Sequence, residues 1–207
     1  MLPVLIVFSL YAVFHSFLAG RGKLWFRDWF GERTYHGLYR VFYNIVAVVT
    51  LLPVIYLMAC DPGPILWSLP ISLEPFLVFV QITGILGVAI SLIQIDLLRF
   101  LGLKQLYAYI SGAPLPLPSE RLQTRGMYAL VRHPLYLFAL MLSWPVMTMT
   151  SAYFGYCVVL TTYFVFGSIY EERRMMEYYG QTYLDYRSRI PRLVPFLNIS
   201  KGFVDKT

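Results

Sequence analysis

All 17 lysines and arginines of this 207-residue chain fall into three blocks: five between residues 20 and 40, five between 99 and 133, and seven from 171 onward. The stretches between them are apolar, near residues 2–19, 38–59, 76–96, 134–149 and 152–170. A helix crossing the hydrocarbon layer needs about 20 apolar residues. Five such helices threaded back and forth put every basic block on one side, which the positive-inside rule makes the cytoplasmic side. The expected fold class is therefore all-α: a polytopic integral membrane protein of about five transmembrane helices, forming a single membrane domain over 1–207. The N-terminus is expected outside, and the C-terminus on the cytoplasmic side of the inner (plasma) membrane. With 58% hydrophobic and only 14% charged residues, the chain lies far from the roughly 25% charged residues of a soluble domain.

Topology accounts for the net charge of +6, so a nucleic-acid partner loses its main support and the lipid bilayer takes its place. The first apolar segment has no basic residue before it and a basic stretch after it, the reverse of a cleavable signal peptide, so it reads as a retained span. Cys60 and Cys157 both lie at or inside apolar segments and make no disulfide framework. His15, His36 and His133 show no ligand spacing, so no metal site is expected.

The fourth segment has about 15 apolar residues, roughly 22 Å of helix against a hydrocarbon layer of roughly 30 Å. Its start is expected to be recessed, in a pocket facing the cytoplasm. Just before it stands Val131-Arg-His-Pro-Leu-Tyr136. Pro134 suits the first turn of a helix, where its missing N–H is unpaired anyway. Arg132 and His133 are then at a helix N-terminus, either as an anion site or as a membrane-entry signature in which Arg132 meets lipid phosphate and His133 caps the helix.

The fifth segment ends at Glu171-Glu-Arg-Arg174. Adjacent helical residues point about 100° apart, so only one glutamate is expected to face a pocket beside His133; the alternative is a salt-bridged helix end. Met175, Tyr179, Tyr183, Tyr186 and Ile190 then recur at helical spacing and predict one amphipathic cytoplasmic helix, lying along the interface or closing over the site. Gln81, Ser91 and Gln94 in the third segment are expected to face other helices or a cavity.

Gly126-Met-Tyr128, Arg132-His-Pro-Leu-Tyr136, Glu171-Glu172, Tyr179-Gly180, Tyr183, Tyr186 and Ile190-Pro-Arg-Leu-Val-Pro195 together resemble the C-terminal signature of the membrane methyltransferases that include isoprenylcysteine carboxyl methyltransferase and phospholipid N-methyltransferase. His15-Ser-Phe-Leu-Ala19, Tyr39-Arg-Val-Phe-Tyr-Asn44, Asp96-Leu-Leu-Arg-Phe-Leu-Gly-Leu-Lys-Gln105 and Trp144-Pro-Val-Met-Thr-Met-Thr150 extend the resemblance toward bacterial methanethiol S-methyltransferases and their nitric-oxide-reductase-associated relatives. One departure is Phe138, where the wider family usually has a small residue.

The resemblance implies an S-adenosylmethionine-dependent methyltransferase whose cofactor-binding part spans 126–195. Arg132, His133 and Tyr136 with the helix start, joined by Tyr128 and Pro134, would hold the methionine part. Glu171 or Glu172 would hold the ribose or amino group, and Tyr183 and Tyr186 would close around the adenine. Aromatic faces and a carboxylate suit a sulfonium cation. The favoured acceptor is a small thiol such as methanethiol, with His15, Tyr43, Asn44 or Gln105 lining the acceptor side and Arg40 contributing positive charge. A prenylated cysteine carboxylate or lipid amine as acceptor, or a non-catalytic membrane accessory protein, are the competing readings.

Overall fold

A computed structural model describes residues 1–197. Lys201 and Lys206, counted above in the third basic block, lie outside the described residues. The helices are α1 (Leu2–Phe17), α2 (Lys23–Cys60), α3 (Glu74–Gln94), α4 (Leu97–Phe100), α5 (Leu103–Ile110), α6 (Met127–Leu130), α7 (Pro134–Ser143), α8 (Ser151–Tyr179) and α9 (Gln181–Arg189). A wide helical turn, Leu18–Gly22, joins α1 to α2 without a break. Among the described residues, three helical stretches are long and apolar enough to cross a bilayer: Leu2–Cys60, Ile71–Gln94 and Ser151–Tyr179.

The all-α expectation needs correction at two places. Strands β1 (Ile65–Ser68) and β2 (Thr148–Thr150) pair, bounded by Leu69 N–H donating to Met147 O and Ser151 N–H donating to Pro64 O. Pro62, Pro64 and Pro145 interrupt any helix there, and the branched and aromatic residues between them suit extended backbone. For the same reason the fourth apolar segment is helical only over the ten residues of α7, and α7 and α8 are not joined by the two residues Thr150 and Ser151 alone.

The chain divides into two compact units. The first comprises Met1–Leu66, Ile95–Glu120 and Met149–Val159. At 59 residues its first helical stretch would extend roughly 88 Å if straight, yet Phe26 packs on Tyr39 with ring centroids 5.0 Å apart. The chain therefore doubles back between them, and Gly31 is the residue that permits it, at φ 80° and ψ 163°, a region essentially reserved for glycine. Tyr39 Oη then donates to Leu18 O at 2.6 Å, where the wide turn disturbs the helical ladder. Gly37 lies so close to the Tyr109 ring of α5 that a Cβ there would meet it at 2.5 Å.

The second unit comprises Trp67–Gln94, Arg121–Thr148 and the chain from Leu160. Its central contact is α3 on α7. Gly84, Gly87 and Ser91 line one face of α3, and a Cβ on Gly84 would meet Phe138 O at 2.9 Å. Phe79, Ile82, Ile85 and Ile93 are exposed. Small residues inward and large apolar ones outward is the arrangement of a helix that packs backbone to backbone and faces lipid. The three polar residues of α3 find internal partners as expected: Gln81 donates to Pro145 O (2.7 Å), Ser91 to Gly87 O (2.6 Å), and Gln94 Oε1 accepts from Met127 N–H (3.1 Å).

Candidate functional site

Within the second unit, Pro134 opens α7 and the residue before it is held extended, so Val131, Arg132 and His133 run as a short bare strand of backbone. The amides of Arg132 and His133 donate to Pro191 O (2.8 Å) and Arg192 O (3.1 Å). The two amides just before this helix start are thus taken by the chain's own segment beyond α9. The Arg132 side chain completes the closure. Its Nε and Nη2 both reach Glu172 Oε1, at 2.8 and 2.7 Å, and its Nη1 donates to Arg187 O and Ile190 O. Every nitrogen of the guanidinium has an internal acceptor, so Arg132 ties the fold together instead of presenting an open ligand.

Glu172 is 2% exposed. Besides Arg132 it meets His133 Nε2 and Arg192 Nε, each at 3.3 Å, and Arg187 Nε at 3.7 Å. Glu171 is different: its side chain is 42% exposed, and it meets His133 Nδ1 at 3.3 Å and the Tyr136 hydroxyl at 3.0 Å. Both glutamates reach His133, although adjacent helical residues point about 100° apart. An imidazole carries its two nitrogens on different sides of the ring, and each glutamate takes one.

Carboxylates only accept hydrogen bonds, so two of them facing the two ring nitrogens favour the doubly protonated, charged form of His133. Burial opposes that charge, but the hydrogen bonds and negative charges of Glu171 and Glu172 outweigh it, and the pKa of His133 lies above the ordinary histidine value. Its ring stacks on Tyr136 (5.3 Å, 11°), and Tyr136 stacks on Phe164 of α8 (4.4 Å, 2°). Phe164 is a neighbour that the sequence reading missed, although its i, i+7 spacing to Glu171 puts both on one face of α8.

The tyrosine stripe departs from expectation. Gly180, at φ 54°, breaks it into the end of α8 and a separate α9. Tyr183 and Tyr186 are 2% and 8% exposed and pack edge to face at 5.9 Å. Tyr186 donates to Tyr128 O at 2.6 Å. Burial first, then the nearby carboxylates, push the Tyr128, Tyr183 and Tyr186 hydroxyls well above the ordinary tyrosine range. These rings are interior packing, not an open face. Phe138 is also buried, with its ring lodged against Gly87 of α3, so the bulk where the family has a small residue is accommodated by a glycine.

The acceptor-side candidates all fall in the first unit. Three of them meet at the end of α4: Arg40 and Gln105 donate to Arg99 O (3.4 and 3.2 Å), and Asn44 to Phe100 O and Leu101 O (3.3 and 3.0 Å). A one-turn helix leaves its last carbonyls without helical donors, and these side chains supply them. The other two form a pair, Tyr43 Oη lying 2.6 Å from His15 Nε2 with ring centroids 4.7 Å apart.

Residues 25–190 match a family described as a protein of unknown function, DUF1295. Methanethiol S-methyltransferase 2 of Bradyrhizobium diazoefficiens is 29% identical over 193 residues, 93% of this chain and 72% of that protein. Methanethiol S-methyltransferase 1 of the same organism is 28% identical over 193 residues, and there the chain spans 66% of the relative's length. Protein-S-isoprenylcysteine O-methyltransferase B of Arabidopsis thaliana is 32% identical over 84 residues, 38% of this chain and 42% of that protein. No solved structure matches the chain.

Proposed function

The chain belongs to the DUF1295 family, and from that membership we propose that it is an integral membrane methyltransferase that takes S-adenosylmethionine as donor and a small thiol such as methanethiol as acceptor. The names of the relatives that cover most of the chain support the thiol. The observation that carries the reading is the contrast between the two glutamates. Glu172 is consumed inside the fold, while Glu171 keeps a side chain that is 42% exposed, beside a histidine and the tyrosine stacked on it. A carboxylate and aromatic faces are the chemistry that a sulfonium or ammonium group needs, and Arg192, with 35% of its side chain exposed, offers a cation for a carboxylate. The residues present fit the donor.

S-adenosylmethionine, when bound, supplies an electrophilic methyl group on a positively charged sulfur. Glu171 binds its cationic or hydroxyl-bearing part, and Tyr136, held between His133 and Phe164, orients that carboxylate through its hydroxyl. Arg132, Glu172 and Arg187 act as positioning residues that hold 187–192 against the start of α7. Tyr128, Tyr183, Tyr186 and Pro134 shape the same segment from within. On the acceptor side we assign proton removal to His15 with Tyr43. A thiol reacts as the thiolate, and even the relatively acidic cysteine thiol has a pKa near 8.5, so a base is needed at neutral pH. Arg40, Asn44 and Gln105 fix the end of α4, and Arg40 adds positive charge. Five spans with the C-terminus in the cytoplasm are part of the proposal, supported by the basic blocks and the reversal at Gly31.

Calorimetry on the detergent-purified chain, followed by mass spectrometry of methylated products, tests this reading. Saturable S-adenosylmethionine binding lost in folded Glu171→Ala, with methyl transfer to methanethiol, is the expected result. Methylation of a prenylated cysteine instead would move the acceptor to the class that the Arabidopsis relative's name carries. Folded protein that binds no donor in detergent and in lipid nanodiscs would refute it.

A further inference from the structure

In the first unit, residues 100–113 run back along the start of the apolar part of α2. Asn44 donates to Phe100 O and Leu101 O, a Cβ on Gly102 would meet Val41 N at 2.8 Å, one on Gly37 would enter the Tyr109 ring, and Arg33 donates to Tyr109 O and Ala113 O at 3.3 Å. From Asn44 back to Arg33 this covers roughly 16 Å of α2. Helix α5 therefore lies beside α2 where its apolar run begins, near residue 38. With eight residues, about 12 Å of helix, α5 cannot cross the hydrocarbon. Its outward side is nonetheless apolar: Leu103, Tyr107 and Ile110, at i, i+4 and i+7, are 44%, 75% and 74% exposed, while Ala108 is buried. A helix bathed in water carries the opposite pattern. One that lies in the headgroup layer, its apolar side sunk about 5–10 Å toward the acyl chains, carries this one.

The charges beside this stripe are of one sign. The nearby carboxylates are taken by other cations: Asp28 meets Arg27 (3.4 Å), Glu32 meets Arg27 and His36 (3.6 and 3.3 Å), Asp96 pairs with Lys104, and Glu120 pairs with Arg99. Arg33 and Arg40 meet carbonyl oxygens and, for Arg33, the face of the Tyr109 ring; both are exposed, and neither meets a carboxylate among the described residues. They stand on either side of residue 38, about 10 Å apart along α2, at the level where lipid headgroups begin. We infer that Arg33 and Arg40, with the stripe Leu103, Tyr107 and Ile110, form a docking surface for the anionic phospholipids of the leaflet at that end of α2, with phosphates on the guanidinium groups and acyl chains along the stripe. A guanidinium fork matches phosphate oxygens, and a lipid of net negative charge gains more from two uncompensated arginines than a zwitterionic one. Lipid binding here draws on nothing in the methyltransferase reading.

The test titrates the full-length, detergent-purified chain with phosphatidylglycerol and with phosphatidylcholine, read by native mass spectrometry, beside the double variants Arg33→Gln/Arg40→Gln and Arg33→Lys/Arg40→Lys. Both variants keep a donor for the carbonyls, and only the lysine pair keeps the charge. Wild type and the lysine pair are expected to prefer phosphatidylglycerol, and the glutamine pair to lose roughly thirtyfold of that preference, the worth of two basic residues at an anionic surface. Equal binding of both lipids by wild type, an unchanged preference in the folded glutamine pair, or the same loss in both pairs overturns the inference. A second measurement does not depend on those variants folding. A nitroxide on Ile110→Cys in a Cys60→Ser chain, where Cys157 is buried, is placed in nanodiscs of phosphatidylglycerol and relaxed with oxygen or with a water-soluble nickel chelate. Relaxation chiefly by oxygen is expected. Relaxation chiefly by nickel puts the stripe in water, and protection from both with dipolar broadening between labels puts a second copy of the chain on it; either result overturns the docking surface.

Discussion

Replacing each of the two adjacent glutamates by glutamine should give opposite phenotypes, and the size of each follows from its surroundings. Glu172 is 2% exposed and meets Arg132, His133, Arg187 and Arg192 within 3.7 Å. Glu172→Gln keeps the shape and one acceptor oxygen but leaves three guanidinium groups converging on a neutral amide. Breaking a buried ion pair from one side costs about 3–5 kcal/mol, because the remaining charge is buried without compensation. In a chain of about 200 residues each kcal/mol corresponds to roughly 2–4 °C, so Tm should fall by roughly 10 °C. Glu171 has a side chain 42% exposed, and partly exposed pairs are worth about 0–1 kcal/mol. Glu171→Gln should therefore move Tm by less than about 3 °C while clearly weakening donor binding. Thermal unfolding followed by tryptophan fluorescence in one detergent, beside calorimetry with S-adenosylmethionine, reads both. Equal Tm shifts for the two variants, or a Glu172→Gln chain as stable as wild type, would refute the division of labour between a buried hub and an open ligand.

The His133 pKa is raised in the folded chain, so its contribution to stability should be complete below the unfolded value near 6.5 and fade as pH rises through the higher folded value. A pH series of unfolding temperatures should show that decline in wild type and not in His133→Gln. Phe138 is 5% exposed with its ring against Gly87. Phe138→Ala should cost about 3–5 kcal/mol, and Gly87→Ala should be rescued in part by Phe138→Leu in a double-mutant cycle of unfolding free energies. Gly31→Ala has open space around it but must keep φ 80°. A loss of about 1–3 kcal/mol, measured by the same unfolding assay, would mark strain at the reversal, and no loss would show that the chain turns elsewhere.

The long apolar helices were legible because hydrocarbon imposes one demand, a run of apolar residues of spanning length. What the sequence could not show is where a helix turns without ceasing to be polar or apolar. Gly31 and Gly180 adopt positive φ while Gly167 lies within α8, and the same letter stands for all three. The tyrosine stripe carried a sound period across residues 175–190, but one glycine in its middle resets the helix axis, and no count of spacings detects that. The polar candidates carry a structural load that the sequence does not reveal. Arg40, Asn44 and Gln105 donate to the carbonyls at the end of α4. Arg132 and Glu172 satisfy each other in the same way. In a chain with so few charges, the groups that bind a ligand are those left with an exposed face once the backbone and the other charges have taken their partners. By that subtraction the proposed donor site narrows to Glu171, with Tyr136 to aim it.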